Sequence, residues 1–155
     1  MTTVKHVDFA YTRGMDDSEI EDRLRTTETG VLSLCSEGDA YAIPLAHYYD
    51  GENLYFRIGE TEGSEKREFM RSPGDARYVL YGTEATDDPR ELDSWSVLVT
   101  GRLAELDESG YDRFDTAEIN RRFSPIRVFD EDIEDVEITI LKFVVDTITG
   151  RATPS

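Results

Sequence analysis

The stretch Tyr41-Ala42-Ile43-Pro44-Leu45-Ala46-His47-Tyr48-Tyr49 carries only Ala, Pro and Ala at positions 42, 44 and 46, between much larger neighbours. As a strand, its alternation puts Ala42, Pro44 and Ala46 on one face and Tyr41, Ile43, Leu45, His47 and Tyr49 on the other. A face that bare admits a flat molecule against the backbone. Pro44 has no N–H for a ladder, so the strand is expected at an edge or irregular there, with neighbouring amides available to a ligand. The alternative is that the small face fits a crowded barrel interior.

A second group of residues could handle an anion. Arg57 is followed by the polar, turn-rich stretch Gly59-Glu60-Thr61-Glu62-Gly63-Ser64, and Glu65-Lys66-Arg67 then opens a helix. Basic groups beside a helix N-terminus suit phosphate. The alternative is plain i,i+4 pairing on a helix surface.

Other chemistry is missing from the sequence. There is no Gly-x-Ser-x-Gly, no phosphate-binding Gly-x-x-x-x-Gly-Lys and no Gly-x-Gly-x-x-Gly, and the histidines are His6 and His47 alone. Zinc lacks ligands, and the acidic run from Asp130 to Asp135 lacks the spacing of a calcium loop, so no metal site is expected. Cys35 is the sole cysteine; it follows the apolar run Val31-Leu32-Ser33-Leu34 and is expected to be buried and inert.

The chain holds 34 Asp and Glu against 17 Lys and Arg, a formal net charge of -17, with only three lysines. This composition resembles that of proteins from salt-saturated cytoplasm, where the Debye length falls to roughly 3 Å at 1 M salt and screens like-charge repulsion. No basic patch is available for nucleic acid. No run approaches the roughly 18 apolar residues of a membrane span, and the N-terminus lacks the apolar core of a signal peptide, so a cytoplasmic protein is expected.

The elements that must position these residues follow from spacing. With 155 residues, a single domain over 1–155 is expected. Asp16 and Glu19 have capping-box spacing ahead of Ile20 and Leu24, which predicts a helix from Asp17 to Thr26. Val31–Ser36, Ala40–Tyr49 and Asn53–Ile58 read as a three-strand meander, turned at Glu37-Gly38-Asp39 and Asp50-Gly51. A short helix over Glu65–Arg71 ends at Ser72-Pro73-Gly74. Ala76–Gly82 is a fourth strand and Ser94–Leu106 a fifth, bent near Gly101, with Thr83–Asp93 as a loop between them. Tyr111–Arg122 reads as helical and Val136–Thr147 as a sixth strand. The sum is a mainly β (α+β) protein: a six-stranded antiparallel split β-barrel with a few short flanking helices, or else a half-open sheet covered by helices.

The order Gly30-Val31-Leu32, Tyr41-Ala42-Ile43-Pro44-Leu45, Tyr49-Asp50-Gly51, Leu54-Tyr55-Phe56, Ser64-Glu65-Lys66 and Trp95-Ser96-Val97-Leu98-Val99-Thr100-Gly101-Arg102, with Thr149-Gly150-Arg151 near the end, resembles the pyridoxamine 5'-phosphate oxidase-like FMN-binding split-barrel family. With the acidic composition, it resembles a haloarchaeal member. The resemblance implies a homodimer with FMN in a groove between subunits. It puts the backbone of Pro44, Leu45, Ala46 and His47 against the isoalloxazine ring, Arg57 and Lys66 at the phosphate with Ser64 beside them, and has Trp95 and Ser96 complete the groove. The implied activity is an oxidoreductase, reduced by a nicotinamide or deazaflavin donor and reoxidised by an unknown small-molecule acceptor. His47 and Tyr48 are the side chains nearest the implied ring, although neither stands out as an acid or base. The rival readings are a non-catalytic flavin or haem carrier, or stress-related binding protein, on the same fold, and an interaction domain that binds no chromophore.

Overall fold

The computed structural model describes residues 12–60, 75–105 and 137–154. In chain order these form β1 (Arg13–Gly14), α1 (Asp17–Thr26), β2 (Thr29–Ser36), β3 (Asp39–Tyr49), β4 (Leu54–Glu60), β5 (Asp75–Ala85), β6 (Leu92–Glu105) and β7 (Glu137–Ala152). The helices expected over 65–71 and 111–122 lie outside the described residues.

The capping box closes as its spacing requires: Glu19 N–H donates to Asp16 Oδ1 at 2.8 Å, and the Asp16 N–H reaches back to Glu19 Oε1 at 3.5 Å. Ile20 and Leu24, four residues apart, then share one buried face of α1. That face packs on the sheet, and Gly150 of β7 allows it, because a Cβ at Gly150 would lie 2.9 Å from Ile20 and 2.8 Å from the Met15 sulfur.

Six antiparallel strands form a ring in the order β7, β4, β3, β2, β5, β6, with β6 returning to β7; β1 pairs with Arg151 and Ala152 at the end of β7. This is the expected split barrel. The β2–β3 hairpin turns on Glu37 and Gly38, whose φ values of 51° and 85° are both positive, as a tight two-residue connection between right-twisted strands demands. At the next turn Asp50 Oδ1 accepts from the N–H groups of Glu52 and Asn53, leaving Gly51 to take φ 100°.

Inside the ring sit Leu32, Leu54, Phe56, Tyr78, Leu80, Val97, Val99 and Phe143, all fully buried. Phe56 meets Tyr78 and Phe143 edge-on, with centroids 4.8 Å and 5.8 Å apart. The break expected near Gly101 is a register shift between Thr100 and Gly101 against β7. A Cβ at Gly101 would run into the Val144 carbonyl. Most strand ends lie within two residues of expectation, and two differ by more. Strand β5 continues through Thr83, Glu84 and Ala85, and β7 runs to Ala152 rather than ending at Thr147. In both places pairing with β6 carries polar or glycine-containing sequence that no apolar alternation marks.

Candidate functional site

Strand β3 changes partner where its small face ends. It pairs with β2 from Asp39 to Ala46, but with β4 only through His47, Tyr48 and Tyr49, opposite Phe56, Tyr55 and Leu54. His47 N–H donates to Glu28 C=O at 3.1 Å, on the β2 side. Backbone groups alternate sides along a strand. Those of His47, Leu45 and Ile43 therefore point toward β2, and those of Ala42, Pro44 and Ala46 point the other way, where no described strand pairs with residues 39–46. Pro44 sits where its missing N–H breaks no β2–β3 hydrogen bond.

Side-chain alternation obeys the sequence pattern. Ile43, Leu45 and His47 are buried; Ala42 and Pro44 are exposed and Ala46 is half-buried. The small face is the outer face of the barrel, so the alternative of a crowded interior is excluded.

Arg57 belongs to this outer face. Its neighbours on β4, Leu54 and Phe56, enter the inner core, whereas Tyr55 points outward and with Ile140 forms a second buried cluster against which Ala46 and Tyr48 pack. Arg57 stands opposite Ile140 in the β4–β7 ladder and is 7% exposed. Burial pushes its pKa down, yet a guanidinium stays charged across the physiological range. A buried cation thus lies close to the bare strip of β3, with Tyr48 and Tyr55 tilted together at 6.2 Å between centroids.

His47 is 6% exposed, and its imidazole turns inward. Its Nε2 lies 2.9 Å from the Leu24 carbonyl and its Nδ1 2.8 Å from Tyr78 Oη, which itself donates to the Leu45 carbonyl at 2.9 Å. Burial lowers the His47 pKa, partly offset by the bond to Leu24, and raises that of Tyr78, partly offset by a backbone hydrogen bond from Gly30. The imidazole is therefore not a side chain facing the outer surface, which corrects the expectation that it stands near a bound ring; only the His47 backbone can do so. Tyr78 went unnoticed in the sequence, because in the alternation Ala76-Arg77-Tyr78-Val79-Leu80 it reads as one more core residue. Gly30 was a usable signal. A Cβ there would come within 2.6 Å of the Tyr78 ring.

The remaining candidates are dispersed. Trp95 and Ser96 point to opposite faces of β6. Trp95 packs against the inner core, over Gly82 and under the Arg23 guanidinium at 4.4 Å from its ring centroid, while Ser96 is exposed outside. In the six-membered ring β6 lies three strands from β3 in either direction, so one chain does not bring Trp95 and Ser96 to the small face. Ser64 and Lys66 lie outside the described residues. Cys35 is exposed, contrary to the expected burial, because Leu32 and Leu34 take the inner face of β2 and alternation sends Cys35 out. Among the described residues no cluster of His, Cys, Asp and Glu could hold a metal, and no helix is long and apolar enough to cross a membrane.

Residues 16–152 match the sequence profile of the family described as pyridoxamine 5'-phosphate oxidase. Similar solved structures include a candidate 5-nitroimidazole antibiotic resistance protein from Bacteroides thetaiotaomicron, with TM-score 0.68 and 19% identity over 91% of this chain and 87% of that one. An FAD-binding protein from Mycobacterium smegmatis gives TM-score 0.68 and 14% identity over 92% and 99% of the two chains. One from Mesorhizobium loti gives 0.64 and 18% over 94% and 100%. At these identities the likeness is one of fold. No curated protein matches the chain.

Proposed function

This chain belongs to the pyridoxamine 5'-phosphate oxidase family, and on that premise we propose that it is a flavoprotein that holds FMN against the outer face of β3. The observation that carries this reading is the strip of small side chains Ala42-Pro44-Ala46, exposed at Ala42 and Pro44, beyond the β4 ladder and close to the buried Arg57. The residues fit the ligand. Small side chains let a flat ring reach the backbone of Pro44, Leu45, Ala46 and His47, and Arg57, with Lys66 and Ser64 from the sequence, supplies charge-assisted bonds for a phosphate. A bound flavin supplies the redox chemistry, and the chain supplies placement and electrostatics. The activity proposed is an oxidoreduction with a nicotinamide or deazaflavin donor and a small-molecule acceptor.

Titration with FMN, FAD and riboflavin tests the reading. FMN is expected to bind at micromolar concentration with quenched fluorescence. Arg57→Met keeps the bulk of the side chain and removes its charge, and should weaken FMN by about ten- to a hundred-fold, the worth of about 1.5–3 kcal/mol for a charge-assisted bond, while changing riboflavin little. Tighter binding of FAD than FMN would replace the cofactor and keep the flavin. Binding of none of the three would end the reading. Anaerobic mixing of the loaded protein with each donor separates an enzyme from a carrier, since a carrier's flavin stays oxidised.

The reading includes a homodimer. Trp95 and Ser96 lie three strands from Pro44 in one chain, so a groove using both regions draws on two copies. The net charge of -17 makes that association salt-dependent and fits a halophilic cytoplasm. Sedimentation should give twice the chain mass in 3 M salt and a shift toward monomer at 0.1 M; a monomer at both salts that still binds flavin would remove the shared groove.

A further inference from the structure

Beneath Ala46 lies a chain of buried polar groups that the flavin reading does not yet use. Leu24 is in the last turn of α1, where carbonyls lack intrahelical donors. His47 Nε2 is 2.9 Å from that carbonyl and must carry the proton, because a carbonyl only accepts. In the neutral ring Nδ1 is then an acceptor. Tyr78 Oη, 2.8 Å from Nδ1 and 2.9 Å from the Leu45 carbonyl, has one proton for two acceptors. It shares that proton between the imidazole and the Leu45 carbonyl, and its oxygen accepts from the Gly30 N–H.

The Leu45 carbonyl and the Ala46 N–H belong to one peptide plane and point in opposite directions. Holding the carbonyl on the β2 side aims the N–H to the opposite side of β3. The last pair of the β3–β4 ladder is His47 with Phe56, so the Ala46 N–H lies beyond the pairs of that ladder, on the side of β3 where no described strand pairs with residues 39–46. We propose that Tyr78, itself held by His47, is a positioning residue that orients the Ala46 N–H as a hydrogen-bond donor to the polar edge of the flavin ring. The inference rests on the flavin assignment above and adds to it which peptide recognises the ring and what holds that peptide. It also gives Gly30 a role, since only a residue without Cβ lets the Tyr78 ring reach the Leu45 carbonyl.

The test compares wild type with Tyr78→Phe, which keeps the ring and removes the hydroxyl. Loss of one oriented neutral hydrogen bond should weaken FMN and riboflavin equally, by about three- to ten-fold, and shift the long-wavelength absorption band of the bound flavin. Unchanged affinity and an unchanged spectrum in a folded Tyr78→Phe protein would reduce the group to a structural one and overturn the proposal. If wild type binds no flavin, both readings fall; if it binds and the variant matches it, only this one does. Where Tyr78→Phe does not fold, nitrogen NMR of the imidazoles in the intact wild-type protein decides. The chain has two histidines, His6 and His47. The His47 Nδ1 resonance should move on saturation with riboflavin, and a resonance that stays fixed would overturn the proposal.

Discussion

The two faces of β3 share one backbone and obey opposite rules. On the inner face Ile43, Leu45 and His47 are buried, and the polar atoms of His47 have named partners. On the outer face Ala42 and Pro44 stand exposed, beside backbone groups that no described strand pairs. The inner face is built to hold the barrel together, and the outer one is built to leave space. The difference teaches that a binding surface on a small barrel can be made by subtraction: side chains are kept short on one face while the other secures the strand.

The contrast can be broken most forcefully from inside. Leu45→Ala removes buried methyl groups and should cost about 2–5 kcal/mol of stability, whereas Ala42→Leu on the exposed side should stay within about 0.5 kcal/mol. Flavin affinity should show the reverse order. Filling the small face at Ala42 obstructs the ring, and overpacking of about 1–3 kcal/mol corresponds to a roughly five- to hundred-fold loss. Denaturant melts and flavin titrations of the two variants together make the check. Equal stability losses would mean that the faces are not functionally divided, and an Ala42→Leu protein that binds flavin normally would move the ring elsewhere.

A smaller effect sharpens the inner half of the comparison. Burial holds the His47 imidazole below the ordinary histidine pKa, so as pH falls below about 6.5 the unfolded chain takes up that proton before the folded one does. Its contribution is fully present above about 6.5 and is lost as the pH falls toward the lower folded value. Thermal melts across that window should therefore fall more steeply for wild type than for His47→Gln, which cannot titrate there. Parallel curves would show that the imidazole is not kept neutral by the fold.

Much of this was legible in the sequence because it depends on neighbours a few residues away. The capping box at Asp16 and Glu19, the Ile20–Leu24 face, the two turns and the alternation along β3 are all short-range. The bare strip itself is written in the spacing of Ala42, Pro44 and Ala46. Even the exposure of Cys35 was readable, since Leu32 and Leu34 fix which side of β2 faces in. Spacing, however, gives the two faces of a strand without saying what lies along its edges. Only the assembled barrel decided that β4 leaves β3 beyond His47, so that Pro44 and Ala46 lie along an edge that no described strand pairs, and that Tyr78, thirty-one residues after His47, arrives beneath Ala46. It also decided that Trp95 turns into the core while Ser96 looks out on a strand opposite β3 in the ring. Alternation is a local property of the chain, whereas partnership is fixed by which strands close the ring, and that closure depends on the packing of all six at once.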